Sequence, residues 1–484
     1  MVYISLLFYL FIVILLIAYY ALPMRYRWLV LLGGSIFFYY WQAKKVFVLF
    51  LLTILVSYAL GRYIGYLRNN NIGRKKIYCF CGIVGAIIIV VVPLLVMRNG
   101  NSILQKWLNM GSVSLIVPLG ISFYTLQIIA YLVDVYNGKV EPQRNIFKYA
   151  LFISFFPNII QGPIPRYKQL QTQLIEGHKF EEKEFVKGIH LIIWGFFLKL
   201  MIADKAGVVV DTVFNNYCQY AGGYIWIAGC LYSIQLYADF MACSIISKGV
   251  SELFGIEIVD NFIHPYKATS IKDFWRRWHI SLSTWLRDYI YIPLGGNRKG
   301  KFAKYRNLII TFAVSGIWHG VGFKYLFWGL LHAFYQVMGE IFGPINEKLL
   351  ACFRTPKGLF RKTIQTIITF IFVMLGWIIF RADSLKIGLG MIYSMFTVYN
   401  PWIFFDDSIF SLGLAWKEWG VLIGAMLILA AVGGVQEKIC IRDWILEQHI
   451  VVRWGIYVLA IWCIWVLGTY GYGFNAQDFI YGGF

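Results

Sequence analysis

Long, predominantly apolar stretches recur along the chain near 2–22, 46–67, 77–97, 188–204, 220–242, 322–342, 364–380, 418–435 and 454–470. A helix needs roughly 20 such residues to cross a hydrocarbon core, so each predicts a membrane span. Shorter apolar runs near 28–42, 113–133, 147–161, 307–319 and 385–398 are expected to span, tilt or turn back inside the protein. Together they predict an all-α polytopic integral membrane protein of about 10 to 13 passes, with re-entrant or interfacial helices between some of them. The polar stretches 163–187, 260–306, 343–363 and 399–417 are too short to fold as separate domains, and no linker or repeat divides the chain. The expectation is one transmembrane domain over 1–484: N-terminal spans in 1–110, a core in 111–398, and C-terminal spans with an aromatic tail in 399–484.

Composition agrees with the pattern. With 59% hydrophobic and 14% charged residues, the chain carries more apolar side chain than a water-soluble fold of its length buries. The first apolar stretch has no basic residue before it and no small-residue cleavage site after it, so it is expected to remain as a span. The formal charge of +20 does not call for nucleic acid, because the Lys and Arg residues sit in short loops, where they orient a membrane protein. Arg62, Arg68, Arg74, Lys75 and Lys76 accordingly place the 68–76 loop in the cytoplasm and the N-terminus outside. Of eight cysteines, only Cys79 and Cys81 are close, and no set has zinc-binding spacing, so no metal site is expected.

Chemistry concentrates in one segment. Residues 271–306 hold nine Lys or Arg against two acids, Asp273 and Asp288, interleaved with Trp275, Trp278, Trp285, Tyr289 and Tyr291. The pattern predicts an amphipathic helix ended by Pro293-Leu294-Gly295-Gly296. A basic run, Arg298 to Arg306, precedes an apolar climb from Asn307 to Gly316-Ile317-Trp318-His319-Gly320. The twelve steps from Asn307 raise His319 roughly 18 Å, deep in a hydrocarbon layer about 30 Å thick. If the earlier limb is also helical, His279 reaches a similar depth.

A buried histidine can simply bridge helices. It can also take a proton from an attacking hydroxyl, and an alcohol attacking a thioester needs such a base. The oxyanion formed in that attack needs a donor, which His279 or a nearby indole N–H can supply. Gly316 and Gly320 allow a substrate or another backbone to approach. Of the other ionisable residues in apolar surroundings, Lys199 with Asp204 and Arg381 with Asp383 read as ion pairs. Asp239 is a site candidate.

The run from Phe274-Trp275-Arg276-Arg277-Trp278-His279 through Pro293-Leu294-Gly295-Gly296-Asn297 closely resembles the membrane-bound O-acyltransferase family, in its bacterial polysaccharide O-acetyltransferase branch. Asn261-Phe262, Pro265-Tyr266, Gly316 to Gly320, Trp377, Phe380-Arg381-Ala382 and Pro118 to Tyr124 extend the likeness over most of the chain from about residue 110. The resemblance implies a ring of helices around a thinned centre, His319 as the signature catalytic histidine and His279 as the second active-site position. Trp278, Ser283, Arg287, Asp288, Asn297, Asp239 and Trp318 are the accompanying candidates for substrate contact.

The implied reaction moves an acetyl or similar short acyl group from a cytoplasmic thioester, acetyl-CoA, toward hydroxyls of an extracytoplasmic polysaccharide. No bound cofactor is implied. The expected partners are membrane lipid and an extracytoplasmic acyltransferase that takes over the acyl group, and the expected location is the cell membrane. Two departures stand out: Met241-Ala242-Cys243-Ser244-Ile245 follows Asp239-Phe240 where similar proteins carry a second Asp, and the tail Phe479 to Phe484 has glycines where they have bulky residues. Within the family the rival reading is D-alanyl transfer to teichoic acid from a carrier-protein thioester. Outside it, the rivals are a transporter or flippase and a silent scaffold for polymer export.

Overall fold

The computed structural model describes residues 3–69, 120–320, 322–352 and 358–470. The expected span at 77–97, the Cys79/Cys81 pair, most of the basic 68–76 loop, Pro118-Leu119 and the 479–484 tail lie outside them. Every regular element among the described residues is a helix, and there is no strand. With no water in the hydrocarbon layer to satisfy backbone N–H and C=O groups, a helix that bonds them internally is the spanning element open to a chain without a closed barrel.

Six of these helices are long and apolar enough to cross a membrane: Lys44–Asn69, Glu182–Asn215, Gly223–Leu253, Leu359–Arg381, Trp416–Val435 and Ile450–Leu467. Each coincides with an apolar stretch read from the sequence. Leu6–Ala21, Ile121–Tyr136 and Leu385–Thr397 are shorter apolar helices. Burial separates the long ones: 83% of the most apolar window of Gly223–Leu253 is buried within the protein, and none of that of Ile450–Leu467. The latter exposes Trp454, Val458, Leu459, Trp462 and Trp465, the surface expected of a helix solvated by lipid.

The described chain forms two compact units, one comprising residues up to Ile192 with Cys243–Asp260, the other Ile193–Ala242 with Asn261–Ile480. In the first, the 147–161 run is not one helix. It breaks at Phe155 into Ile146–Ser154 and Phe156–Ile159, with Pro157 in the first turn of the second piece, where its missing N–H is no loss. Gly120 opens Ile121–Tyr136 in a left-handed conformation, and a side chain there would overlap the carbonyl oxygen of Ile159. Tyr131 packs on Tyr149 at 4.9 Å and on Tyr167 at 4.8 Å between ring centroids, and Tyr149 donates to Ser57 Oγ at 2.9 Å. Asp134 pairs with Lys139 at 3.6 Å and Lys248 with Asp260 at 2.7 Å.

The second unit contains the chemistry-bearing segment. Gly300–His319 and Phe323–Cys352 form a close helix pair. Gly316 lies against the carbonyl oxygen of Tyr325, and Gly329 against that of Phe312, so any side chain at either position would collide with backbone. Small residues are the usual means by which helices approach this closely in lipid, where no hydrophobic force drives them together. Gly316 thus serves a neighbouring backbone, and Gly320 packs against the Tyr325 ring. Lys304, near the start of the first helix, pairs with Glu340 on the second.

Candidate functional site

The stretch expected to be one amphipathic helix is broken at its most interesting residue. Ile271–Arg277 is capped by Ser270, whose Oγ accepts from Asp273 N at 3.1 Å, and Asp273 pairs with Arg277 at 3.0 Å one turn later. Trp278 is extended and His279 left-handed, with φ 44°, before Ile280–Leu286 begins. Only His264 shares that conformation among the described non-glycine residues. A left-handed histidine is uncommon and needs support from outside.

Asn261 supplies it. Its carbonyl accepts from Ile280 N at 2.9 Å and its Oδ1 from Ser281 N at 3.3 Å, satisfying first-turn donors that have no local cap. Ile263 N donates to Arg277 O at 3.0 Å, which closes the other side of the break. Trp278 is locked among Phe262, Phe274 and Trp377 at 5.0–5.4 Å, with Tyr237 and Tyr266 slightly farther away.

The His279 ring is 1% exposed and meets Phe240 edge-to-face at 4.7 Å. Neither of its nitrogens has a hydrogen-bond partner among the described residues. His319, 3% exposed, is the last residue of its helix and packs against Trp328 at 5.1 Å and Phe380 at 5.3 Å. Trp318 joins the two sites, with its ring 6.3 Å from that of His279 and 4.8 Å from that of His319. The histidines, forty positions apart in sequence, therefore share one aromatic neighbour. Behind His319, Trp328 stacks on Trp377 at 5.7 Å, and His332 Nδ1 accepts from Trp275 Nε1 at 3.3 Å.

The buried charges are arranged differently from the sequence expectation in one case. Lys199 does pair with Asp204, at 2.9 Å, and also with Asp239, at 2.7 Å, all three side chains being 2% exposed. Leu198–Ala203 is a π-helical turn in which Asp204 N donates to Lys199 O. That wider turn brings residues five apart onto one face, where an α-helix would set them about 140° apart. Asp239, a candidate for substrate contact, is thus one side of a buried ion triad, and its neighbour Phe240 is the ring on His279. Arg381 pairs with Asp211 at 2.6 Å, not with Asp383 as expected. Arg381 is the last residue of its helix and Asp383 lies beyond it, whereas Asp211 comes from another helix packed nearby.

Ser283 Oγ donates to Trp278 O at 3.2 Å, and its backbone N to His279 O at 2.9 Å, so it belongs to the break. Arg287 Nε bonds Asp288 Oδ1 at 2.9 Å within a second π-turn, Arg287–Tyr291, with the Arg287 side chain 60% exposed. Asn297 is exposed. Arg287, Asp288 and Asn297 thus belong to the connection leading into Gly300–His319, and the residue that fixes this turn is one the sequence reading used only as a landmark. Asn307, fully buried, donates through Nδ2 to Gly296 O at 2.9 Å and Leu294 O at 3.2 Å. An asparagine opening an apolar run is the signal that marks it.

Among the described residues no cluster of three or more His, Cys, Asp or Glu side chains is placed to hold a metal ion. What the site offers is two imidazoles in apolar surroundings. A neutral imidazole has one nitrogen that accepts a proton and one that donates.

Comparison with known proteins gives consistent results. A family model described as "MBOAT, membrane-bound O-acyltransferase family" matches residues 142–385. The "Probable alginate O-acetylase AlgI" of Pseudomonas aeruginosa is 34% identical over 442 residues, covering 88% of this chain and 80% of that one. The peptidoglycan O-acetyltransferase of Helicobacter pylori is 33% identical over 76% of this chain and 73% of its own length. The teichoic acid D-alanyltransferase of Bacillus subtilis is 30% identical over 69% of this chain and 85% of its own.

Proposed function

The chain belongs to the membrane-bound O-acyltransferase family, and we propose that it moves an acetyl group from a cytoplasmic thioester, acetyl-CoA, toward hydroxyls of an extracytoplasmic polysaccharide. It is a multi-pass membrane protein and an O-acyltransferase. The choice of acetyl and of a polysaccharide rests on the higher identity to the alginate and peptidoglycan O-acetylating relatives than to the D-alanyltransferase. Delivery through a separate extracytoplasmic acyltransferase completes the reading.

In this reading His319 takes the proton of the attacking hydroxyl while its oxygen bonds to the acyl carbon. His279 donates to the oxyanion that forms. Collapse breaks the carbon–sulfur bond, and the proton passes to the departing thiolate, leaving an ester and a free thiol. Trp318, touching both rings, holds them in fixed relation and shields the reacting centre from water. The observation that supports the assignment best is this shared contact between two buried histidines, one in the break before Ile280–Leu286 and one at the end of Gly300–His319.

The test is mass spectrometry of the surface polymer from cells with the protein, without it, and with His319→Ala. Polymer-bound acetate should disappear in the last two while the variant remains folded in the membrane. Retained acetate in the His319 variant would end the catalytic assignment. Loss of D-alanyl esters with acetate intact would instead support the second reading, which the Bacillus subtilis relative favours.

A further inference from the structure

The second unit contains a cavity of about 240 Å³ between two membrane spans. One wall is a face of Gly223–Leu253, with Ile234, Tyr237 and Met241 at helical spacing. The opposite wall is a face of Trp416–Val435, with Met426, Leu429 and Gly433. Both faces are apolar, and the volume falls below the roughly 300 Å³ at which pockets for whole small molecules begin. The slot has the proportions for a hydrocarbon chain, not for a sugar or a nucleotide.

Its end is polar and cationic. The turn His264–Lys267 closes it, with the left-handed His264 set against Gly433, whose missing side chain leaves the imidazole room. Lys267 Nζ donates to Gly433 O at 2.9 Å and to Glu437 Oε1 at 3.1 Å. Arg277 and Lys362 also act on this end electrostatically, the first on His264 and the second on Glu437. Lys267 and Lys362 thus act on Glu437, Lys267 and Arg277 act on His264, and Asp273 is paired with Arg277. The pKa of His264 is pushed below its ordinary value by burial first and then by Lys267 and Arg277, against the opposing pull of Glu437.

We propose that this slot is a site for an anionic glycerophospholipid of the surrounding bilayer, one acyl chain lying between the two spans and the phosphate near Lys267, Arg277 and Lys362. An apolar groove between spans that ends in basic residues at the interface is the arrangement that recruits acidic headgroups. Hydrocarbon in the slot keeps Ile234, Met241 and Leu429 in contact with matching surface where the spans part.

The test uses the full-length protein purified in detergent and native mass spectrometry with phosphatidylglycerol or phosphatidylcholine of identical chains. The expected result is several-fold greater retention of phosphatidylglycerol, lost in Leu429→Trp, which fills the slot. In Lys267→Gln with Lys362→Gln, retention should fall to the phosphatidylcholine level. Equal retention of the two lipids by the unmodified protein overturns the proposal, as does undiminished binding by a folded Leu429→Trp variant. A photoreactive phosphatidylglycerol added to the unmodified protein gives a check that needs no variant: labelling should fall on peptides containing 234–241 and 426–433, and labelling confined elsewhere overturns the site. Displacement of the lipid by a long-chain acyl thioester, but not by phosphatidylglycerol itself, would assign the slot to the acyl donor and likewise overturn it.

Discussion

Phe240 meets the imidazole of His279 edge-to-face, 4.7 Å between centroids and 88° between planes, and the residue before it, Asp239, is bonded to Lys199. A single helix, Gly223–Leu253, therefore carries both the wall of one histidine and one member of the buried ion triad. The rotation of that helix, and with it the placement of Phe240, is fixed by charge on one side and by ring packing on the other.

Conformation and chemistry at position 279 are separable. Asparagine tolerates the left-handed region better than other non-glycine residues, so His279→Asn should fold with a Tm close to that of the unmodified protein. Its acyl-transfer rate should fall by about 10²-fold if the ring supplies an oxyanion donor. His319→Gln, on an ordinary helix end, should lose about 10²- to 10⁴-fold, the range for a general base. Initial rates with a soluble hydroxyl acceptor, beside thermal unfolding of the same preparations, check both.

The ion triad should behave unlike its parts. Lys199→Met leaves two buried carboxylates facing each other and is expected to cost about 3–5 kcal/mol, the scale for removing one partner of a buried pair. Combining it with Asp204→Asn and Asp239→Asn removes the uncompensated charge and should recover most of that loss. Tm values across the single, double and triple variants measure the coupling. Equal Tm values for Lys199→Met and the unmodified protein would refute it.

Two glycines of the helix pair make a contrast. Gly316→Ala would drive a methyl group into the Tyr325 carbonyl and should destabilise by about 1–3 kcal/mol, the usual cost of overpacking. Gly339→Ala, with nothing within 4 Å of the added carbon, should be neutral or stabilise by about 0.5–1 kcal/mol, because alanine loses less freedom in a helix interior. Thermal unfolding in one detergent distinguishes the two.

Acid sensitivity should trace in part to His264. Burial, Lys267 and Arg277 hold its pKa below the ordinary 6.5, so the unfolded chain takes up a proton before the folded one does. Stability is then level at higher pH and declines as pH falls below about 6.5 until the folded-state pKa is passed. His264→Asn, which suits the left-handed backbone, should narrow the difference in Tm between pH 7.5 and pH 5. An unchanged difference would place the acid sensitivity elsewhere.

Much of this fold was legible because its signal is local. Apolar length alone located Lys44–Asn69, Gly223–Leu253, Leu359–Arg381 and Trp416–Val435, and the Lys199–Asp204 pair followed from the cost of lone charge in lipid. The π-turn that makes that pair possible was not legible, because apolar periodicity reports which face is buried and not whether the hydrogen bonds run to the fourth or the fifth residue. The break at His279 was hidden for a related reason: no glycine or proline marks it, and its cap lies far upstream at Asn261. Arg381 found Asp211 and not Asp383 through the packing of helices distant in sequence. The pairing of His279 with His319 around Trp318 likewise depends on how two helices cross, which neither motif states by itself.

The cap from Asn261 also bears on which piece of this chain can be moved into an unrelated scaffold. A graft that carried only 270–297 into such a scaffold would bring the histidine but leave behind Asn261, whose backbone carbonyl and side-chain Oδ1 accept from Ile280 and Ser281. The second short helix would then begin with bare donors, and the loop would be free to straighten. The smallest transplantable module starts at Asn261, so grafts into an unrelated scaffold that begin between 262 and 279 should lose the bend, while those that begin before 261 keep it intact.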